Sequence, residues 1–363
     1  CINSFIGMFS FSIFDKHKDE FFIVRDRLGV KPLYYTKNNQ EIIFSSEIKS
    51  ILKIDNSYVK LNKQAISSYM SFRYPITNNT FFQKINSLPP AHYLKISKSF
   101  KVKTVEYWNL SNSFIEQKND HGEEYYLKKL KILLESSVRY RMISDVPLGA
   151  FLSGGVDSSI ITCIMSNNNT KPIKTFSVGF EEKGYNEFEY ASLIASKFKT
   201  DHRELTITGA DYINTMDELI SYKDAPLSVP NEVPLYLMCK ELKKDITVVL
   251  SGEGADEIFG GYGRIFRSSD DYEKIKNLDN YNISDEEKID FCKSILKKYR
   301  ITKFETELDH FINIYSYTSY DEKNNLLHPD CNLRDTEDIL YNKFLEYFDE
   351  LKNESYVNKM MYV

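Results

Sequence analysis

The apolar run Leu148-Gly149-Ala150-Phe151-Leu152 stops at Ser153-Gly154-Gly155 and resumes as Val156-Asp157-Ser158-Ser159. No other feature restricts the fold as much. The run reads as a buried strand, and residues 157–165 have helical spacing. Two glycines between them let the backbone turn tightly and bring its N–H groups against an anion. The helix that follows would point its positive end at the same spot. Ser153 and Ser158 add hydroxyl donors. Asp157 repels an anion unless a cation lies between, so the pattern implies Mg2+. A bare Gly-Gly turn into a serine-capped helix needs no ligand; the full S-G-G-x-D-S string after a strand favours the anion site. No G-x-x-x-x-G-K-[ST] loop occurs.

The flanking sequence fits that reading. Residues 173–180, 202–205 and 246–250 read as strands, and 187–198, 211–221 and 233–243 as helices. This β-α-β-α order predicts an α/β fold with a parallel, doubly wound sheet. Leu127, Leu130, Leu134, Val138 and Met142 predict an amphipathic helix over 123–142. After the last strand, Ser251-Gly252-Glu253-Gly254-Ala255-Asp256-Glu257 forms a second glycine-rich turn with three carboxylates. Such acids repel unless a metal, cation or proton compensates. In a doubly wound sheet both loops leave the C-terminal edge, where ligands bind. Alone, the second loop is equally well a solvated acidic turn; together the loops predict one nucleotide–Mg2+ site. Thr175 to Phe180 is either a plain core strand or a wall of an adenine pocket.

The chain has 363 residues, 42% hydrophobic and 27% charged, enough for two domains. Residues 8–14, 20–24, 31–35, 41–44 and 91–96 read as strands. Residues 46–52, with Ser46 as N-cap, and 61–69 read as short helices. The polar stretch 111–122 lacks apolar periodicity and predicts a linker between domains at 1–110 and 123–363. Beyond residue 270 the second domain is Lys-, Glu- and Asp-rich with helical spacing, the signature of solvated helix faces. A net charge of −5 and a pI of about 5.8 argue against a nucleic-acid partner. Mean hydropathy is −0.42, and no apolar run nears the roughly 18 residues of a membrane span. Cys1, Cys163, Cys239, Cys292 and Cys331 form no C-x-x-C pair and fit free thiols in a reducing cytoplasm. The six histidines show no ligand spacing, against a zinc site. Arg25, Arg27 and Lys31 predict pairing with Asp15, Asp26 or Glu47. The 26 Tyr and 24 Phe against a single Trp look like codon bias.

On these residues the chain resembles glutamine-dependent asparagine synthetase. Residues 153–158, 175–180 and 251–261 are similar to the synthetase domain, an ATP pyrophosphatase (adenine nucleotide alpha hydrolase-like) with an S-G-G-x-D-S loop. Residues 7–15, 24–35 and 44–49 are similar to the back half of that family's class II glutaminase domain, a β-rich fold of Ntn-hydrolase type. The resemblance runs from Gly7 to at least Tyr262 and is loose beyond. It implies that Leu152, Val178 and Gly252 contact the adenine nucleotide. Ser153, Gly154, Gly155 and Ser158 would hold its pyrophosphate, with Ser251 in the same ATP site. Asp157 and Asp256 would ligate Mg2+ or its waters. Glu253 would be catalytic, beside the acyl-adenylate and assisting ammonia attack, and Tyr262 would border the pocket. The implied reaction adenylates the aspartate side chain with ATP, releases pyrophosphate, and transfers ammonia from glutamine to give asparagine. The same plan would also serve another carboxylate in sugar or peptide biosynthesis. A tRNA-modifying S-G-G-x-D-S enzyme would call for a basic face and cysteine pairs. The resemblance implies small-molecule substrates, no nucleic acid and no membrane, and leaves room for a homodimer of the full-length protein.

Cys1 invites a reading as the N-terminal nucleophile of a class II glutaminase. Residues 2–14 resemble the middle of that domain rather than its start, and no Asn-Gly-Glu occurs. The expectation is therefore a fragment cut at both ends, without a glutaminase nucleophile, without glutaminase activity, and without the family's catalytic lysine. Half of a glutaminase domain would also expose Phe9, Phe11 and Phe14.

Overall fold

The computed structural model describes residues 1–116, 119–182, 184–328 and 334–363; Cys331 and linker residues 117 and 118 lie outside them. The chain divides into two compact units, Cys1–Gln117 with Gly260–Val363, and Lys118–Phe259. The helices after residue 260 thus share a unit with the N-terminal strands.

The first unit contains strands β1 (Ser10–Asp15), β2 (Glu20–Arg25), β3 (Tyr34–Lys37), β4 (Ile42–Ser45), β5 (Asn86–Ser87), β6 (His92–Ser97) and β7 (Val102–Glu106). They form two antiparallel sheets, ordered β1-β2-β6-β7 and β4-β3-β5. Ser12 faces Ile23 across the first expected hairpin, and Thr36 faces Ile43 across the second. Ile23, Leu33, Leu88, Leu94 and Ile96 pack together beneath the larger sheet. On edge strand β1, Ile13 and Phe14 remain 52% and 50% exposed, while Phe9 and Phe11 pack with Phe5.

Two local expectations are corrected. The helix Ile48–Ile54 has Glu47, not Ser46, as N-cap, and Ser45 Oγ accepts from the Glu47 N–H at 3.2 Å. Among the described residues Arg25 and Arg27 do not pair with carboxylates. The Arg25 guanidinium donates to the carbonyls of Gly29, Lys31 and Leu88 and to the Ser87 hydroxyl, at 2.5 to 2.9 Å. Arg27 donates to the Asn3 carbonyl at 2.7 Å. Asp26, 1% exposed, accepts from the N–H groups of Phe9, Leu28, Val30 and Lys31 at 3.0 to 3.3 Å. The turn buries backbone groups that its own strands cannot satisfy, and these side chains supply the partners. Within the expected linker, Ser111–Glu116 is a short helix.

The charged helices of the C-terminal stretch enclose an aromatic core. Tyr272, Tyr299, Phe304, Phe311, Phe344, Phe348 and Tyr356 are all buried there, which accounts for part of the Tyr and Phe surplus. Capping boxes at Ser284, Thr306 and Ser319 start three of the helices. His310 is fully buried among the rings of Tyr272, Tyr299 and Phe304. Its Nδ1 lies 2.5 Å from the Tyr356 hydroxyl, and its Nε2 finds no partner among the described residues. Burial pushes the imidazole pKa down from 6.5 to about 4. The folded state therefore holds the ring neutral while the unfolded chain takes up a proton as pH falls below 6.5. Stability is full above that pH and is expected to fall by about 3 kcal/mol as pH drops through 6.5 to 4. Urea unfolding at pH 7.5 and 4.5 should show this loss in the native chain and a smaller one in His310→Phe. Equal losses would refute the assignment.

The second unit is built on β8 (Leu148–Phe151), β9 (Lys174–Phe180), β10 (Asp201–Ile207) and β11 (Val248–Leu250). All pairings are parallel, in the order β10-β9-β8-β11. The helices Val156–Asn167 and Phe188–Phe198 connect the first three strands; Gly209–Lys223 and Glu232–Leu242 precede the last. The chain steps outward from β8 to β10 and then returns to the other flank of β8. This is the predicted doubly wound α/β sheet, and its switch point lies between β8 and β11. Gly149 is required in β8, since a Cβ there would lie 2.6 Å from the Lys174 carbonyl oxygen. The predicted amphipathic helix is Glu123–Arg141, but Leu127 is 57% exposed. Only toward its C-terminal end do Val138 and Met142 join Ala150, Met165 and Leu250 in the core. Among the described residues no helix is long and apolar enough to cross a membrane.

Candidate functional site

β8 and β11 are bonded neighbours, with Val248 opposite Leu148 and Leu250 opposite Ala150. Their following loops, 152–155 and 251–254, therefore leave the C-terminal edge side by side. Gly154 has φ +83°, and a Cβ there would sit 2.5 Å from the backbone carbon and Cβ of Tyr190. Only glycine fits, on both conformational and steric grounds. A Cβ on Gly252 would lie 2.9 Å from the Ser158 nitrogen and 3.0 Å from the Asp157 Cβ. The second loop thus rests its backbone directly on the start of the helix Val156–Asn167. This contact joins the two motifs, and neither motif announces it alone.

The first loop is knit by its own serines. The Ser153 N–H donates to Ser158 Oγ at 3.2 Å, and the two hydroxyls are 3.0 Å apart. The Gly155 N–H donates to Ser153 Oγ at 3.2 Å. Gly155 is the N-cap and makes no side-chain cap bond, which leaves the first-turn N–H groups facing outward. Leu152, 1% exposed, donates its N–H to the Phe176 carbonyl at 2.9 Å. Half-buried Val178 lies further along β9, the neighbouring strand. Ser251 Oγ accepts from the Glu253 N–H at 3.4 Å.

Asp157, Glu253 and Asp256 are solvent-exposed. Asp157 and Asp256 lie in the first turns of the helices Val156–Asn167 and Ala255–Phe259, which follow the two loops. Among the described residues no group of three or more His, Cys, Asp or Glu gathers into a metal cage. An all-oxygen pair of carboxylates beside a glycine cradle suits a hard cation whose remaining ligands are water and phosphate oxygens. Tyr262 belongs to the first unit, where it lines a cavity of about 1230 Å³ with Tyr299, Asp309, Tyr317 and Phe344. Cys1 is exposed.

The pattern reading missed a chain of hydroxyls behind the first loop. Thr175, Ser177, Thr200 and His202 converge there, and the Ser177 hydroxyl donates to the Leu152 carbonyl. The alternation of β9 is visible in sequence, but the pairing that brings Thr175 opposite His202 is not.

Fold and loops place the second unit among α/β domains of the ATP-pyrophosphatase type. The family comparisons are more specific. Residues 129–363 match the asparagine synthase family and residues 1–108 match the glutamine amidotransferase domain. The chain belongs to the asparagine synthase family. It is 36% identical over 256 residues to asparagine synthetase [glutamine-hydrolyzing] 1 of Bacillus subtilis, covering 70% of this chain and 40% of that protein. It is 36% identical over 266 residues to putative asparagine synthetase [glutamine-hydrolyzing] 2 of Methanocaldococcus jannaschii, covering 72% of this chain and 51% of that protein. The chain thus spans about half the length of these relatives or less. A solved NH3-dependent NAD synthetase from Campylobacter jejuni, in complex with nitrate, aligns over 61% of this chain and 93% of its own at 14% identity. Its TM-score is 0.27.

Proposed function

We propose that the loops 152–158 and 251–256 bind ATP with Mg2+ and form the adenylating site of a glutamine-dependent amide ligase with aspartate as acceptor. The observation that carries this reading is the seating of Gly252 on the backbone of Asp157 and Ser158. It closes an anion cradle and an acidic loop on one spot at the switch point of the sheet. In this reading Leu152, Val178 and Gly252 border the adenine nucleotide, and Ser251 adds a hydroxyl to the ATP site. Ser153, Gly154, Gly155 and Ser158 hold the pyrophosphate. Asp157 and Asp256 hold Mg2+, which when bound neutralises charge on the departing pyrophosphate. Backbone N–H groups at the start of the helix Val156–Asn167 orient that pyrophosphate. Glu253, exposed on the second loop, would assist ammonia as it attacks β-aspartyl-AMP, giving asparagine and AMP. Ammonia must arrive neutral, so its route from glutamine has to exclude water. The glutaminase-like part would occupy 1–110, a linker 111–122 and the synthetase part 123–363. A cytoplasmic setting and small-molecule partners complete the proposal.

Asp157→Ala should weaken calorimetric Mg·ATP binding by at least about tenfold, the scale of one lost charge-assisted contact. Unchanged binding would refute the site. Pyrophosphate release by the complete protein, assayed across a panel of carboxylates, tests the acceptor. Aspartate should stand out, and a different best substrate would overturn it.

A further inference from the structure

We infer that His202 and Ser177 are positioning residues for the nucleotide loop, acting through the carbonyl of Leu152. The inference rests on the nucleotide-site reading above and adds residues to it. Leu152 is the last residue before the Ser153 turn, and both of its backbone polar groups are held by β9. Its N–H goes to the Phe176 carbonyl at 2.9 Å and its carbonyl accepts from the Ser177 hydroxyl. Ser177 is 5% exposed and Thr175 fully buried, so water offers little replacement for either hydroxyl.

The bonding directions follow from the donor inventory. A serine hydroxyl has one proton. Having donated to Leu152, Ser177 Oγ can only accept, and His202 Nε2 lies 3.5 Å away. An Nε2–H tautomer leaves Nδ1 as acceptor, and Thr175 Oγ1 lies 2.9 Å from it. Thr175, having donated to the ring, accepts from the Thr200 hydroxyl at 2.8 Å. Each member is thereby satisfied in one sense, from Thr200 through Thr175, His202 and Ser177 to Leu152. Two other groups reach the ring: Glu204 Oε1 lies 3.8 Å from Nε2 and already accepts from the Ser192 hydroxyl at 2.7 Å, and the Thr175 backbone also bonds the imidazole. Burial lowers the His202 pKa, outweighing Glu204 and the Thr175 backbone bond, which both raise it. The far end of the chain opens on a cleft of about 440 Å³ lined by Thr200, His202 and Glu204. The strand end that presents Leu152 is thus set by a hydrogen-bond relay from β10, the outer strand.

The test is a double-mutant cycle on Mg·ATP binding, read by calorimetry. Ser177→Ala should weaken binding roughly fivefold to tenfold and His202→Leu about threefold, the range of one or two neutral hydrogen bonds. The double variant should be no weaker than Ser177→Ala, because His202 acts through Ser177. His202→Gln keeps an N–H at similar reach and should recover most of the loss. In the complete protein the KM for ATP should rise while kcat stays; a merely destabilised sheet would lower kcat through the active fraction and leave KM alone. Should Ser177→Ala melt early, Ser177→Cys keeps the volume with a poorer donor and carries the same expectation. Binding within twofold of native for the Ser177 variants, or independent effects in the double variant, overturns the inference. Asp157→Ala separates the two levels. If it abolishes binding while the Ser177 variants do not, only the relay fails; if none of these variants matters, the nucleotide site fails.

Discussion

Gly154→Ala is expected to remove Mg·ATP binding almost entirely while leaving the second unit folded. The added methyl would meet the backbone and Cβ of Tyr190 at 2.5 Å, in a residue held at φ +83°. Backbone cannot step aside as a flexible side chain can, so the loop must move. The left-handed conformation alone costs about 1 to 3 kcal/mol for a residue with a Cβ. A shift of even about 1 Å in a cradle of N–H groups costs on the order of 100-fold in function. Calorimetry should show a loss of about that size, with the far-ultraviolet dichroism preserved. Gly209→Ala is the matched control. It begins the helix Gly209–Lys223, a Cβ there meets nothing within 4 Å, and binding should stay native. A Gly154→Ala chain that binds within threefold of native would mean that the loop does not cradle the nucleotide.

The second large effect concerns stability of the first unit. Lys323 is fully buried, and its Nζ lies 2.5 Å from Glu337 Oε1 and 3.1 Å from Ser67 Oγ; the Ser67 hydroxyl also bonds Glu337. Burial lowers the lysine pKa, and Glu337 opposes that effect. The triad ties the helix Lys63–Phe72 to two helices of the C-terminal stretch, Tyr320–Leu326 and Arg334–Glu350. Glu337→Leu strands a buried ammonium, or forces it to shed its proton, and should cost about 3 to 5 kcal/mol. Lys323→Met combined with Glu337→Leu should recover most of that, because two apolar side chains remove the stranded charge. Urea unfolding of the native chain and both variants measures the difference. A loss under about 1 kcal/mol in the single variant would show that the pair stabilises no more than a surface bridge.

Legibility in the sequence followed the range of the physics. The parallel, doubly wound class of the sheet and both glycine-rich loops were readable because each rests on a local period or turn. The N-cap at Ser46 misled, since the helix starts one residue later, with Glu47 as a cap that makes no side-chain bond. The arginine knot misled for a related reason. Charge suggested carboxylates, but the buried turn at Asp26 had unsatisfied carbonyls and N–H groups, which took the side chains first. The helix Glu123–Arg141 carries a stripe that the structure uses only near its C-terminal end.

By itself the sequence determined the class of the sheet, the two loops, and the requirement for glycine between strand and helix. Those depend on residues adjacent in the chain. The tertiary structure decided what depends on residues far apart. It seated Gly252 on Asp157 and Ser158, across nearly a hundred residues of chain. It linked His202 to Leu152 through β9, and it gathered the helices after Gly260, which enclose an aromatic core, into one unit with the N-terminal strands. Hydrophobic burial and hydrogen-bond satisfaction act on distance in space, and a linear pattern carries no coordinate for that.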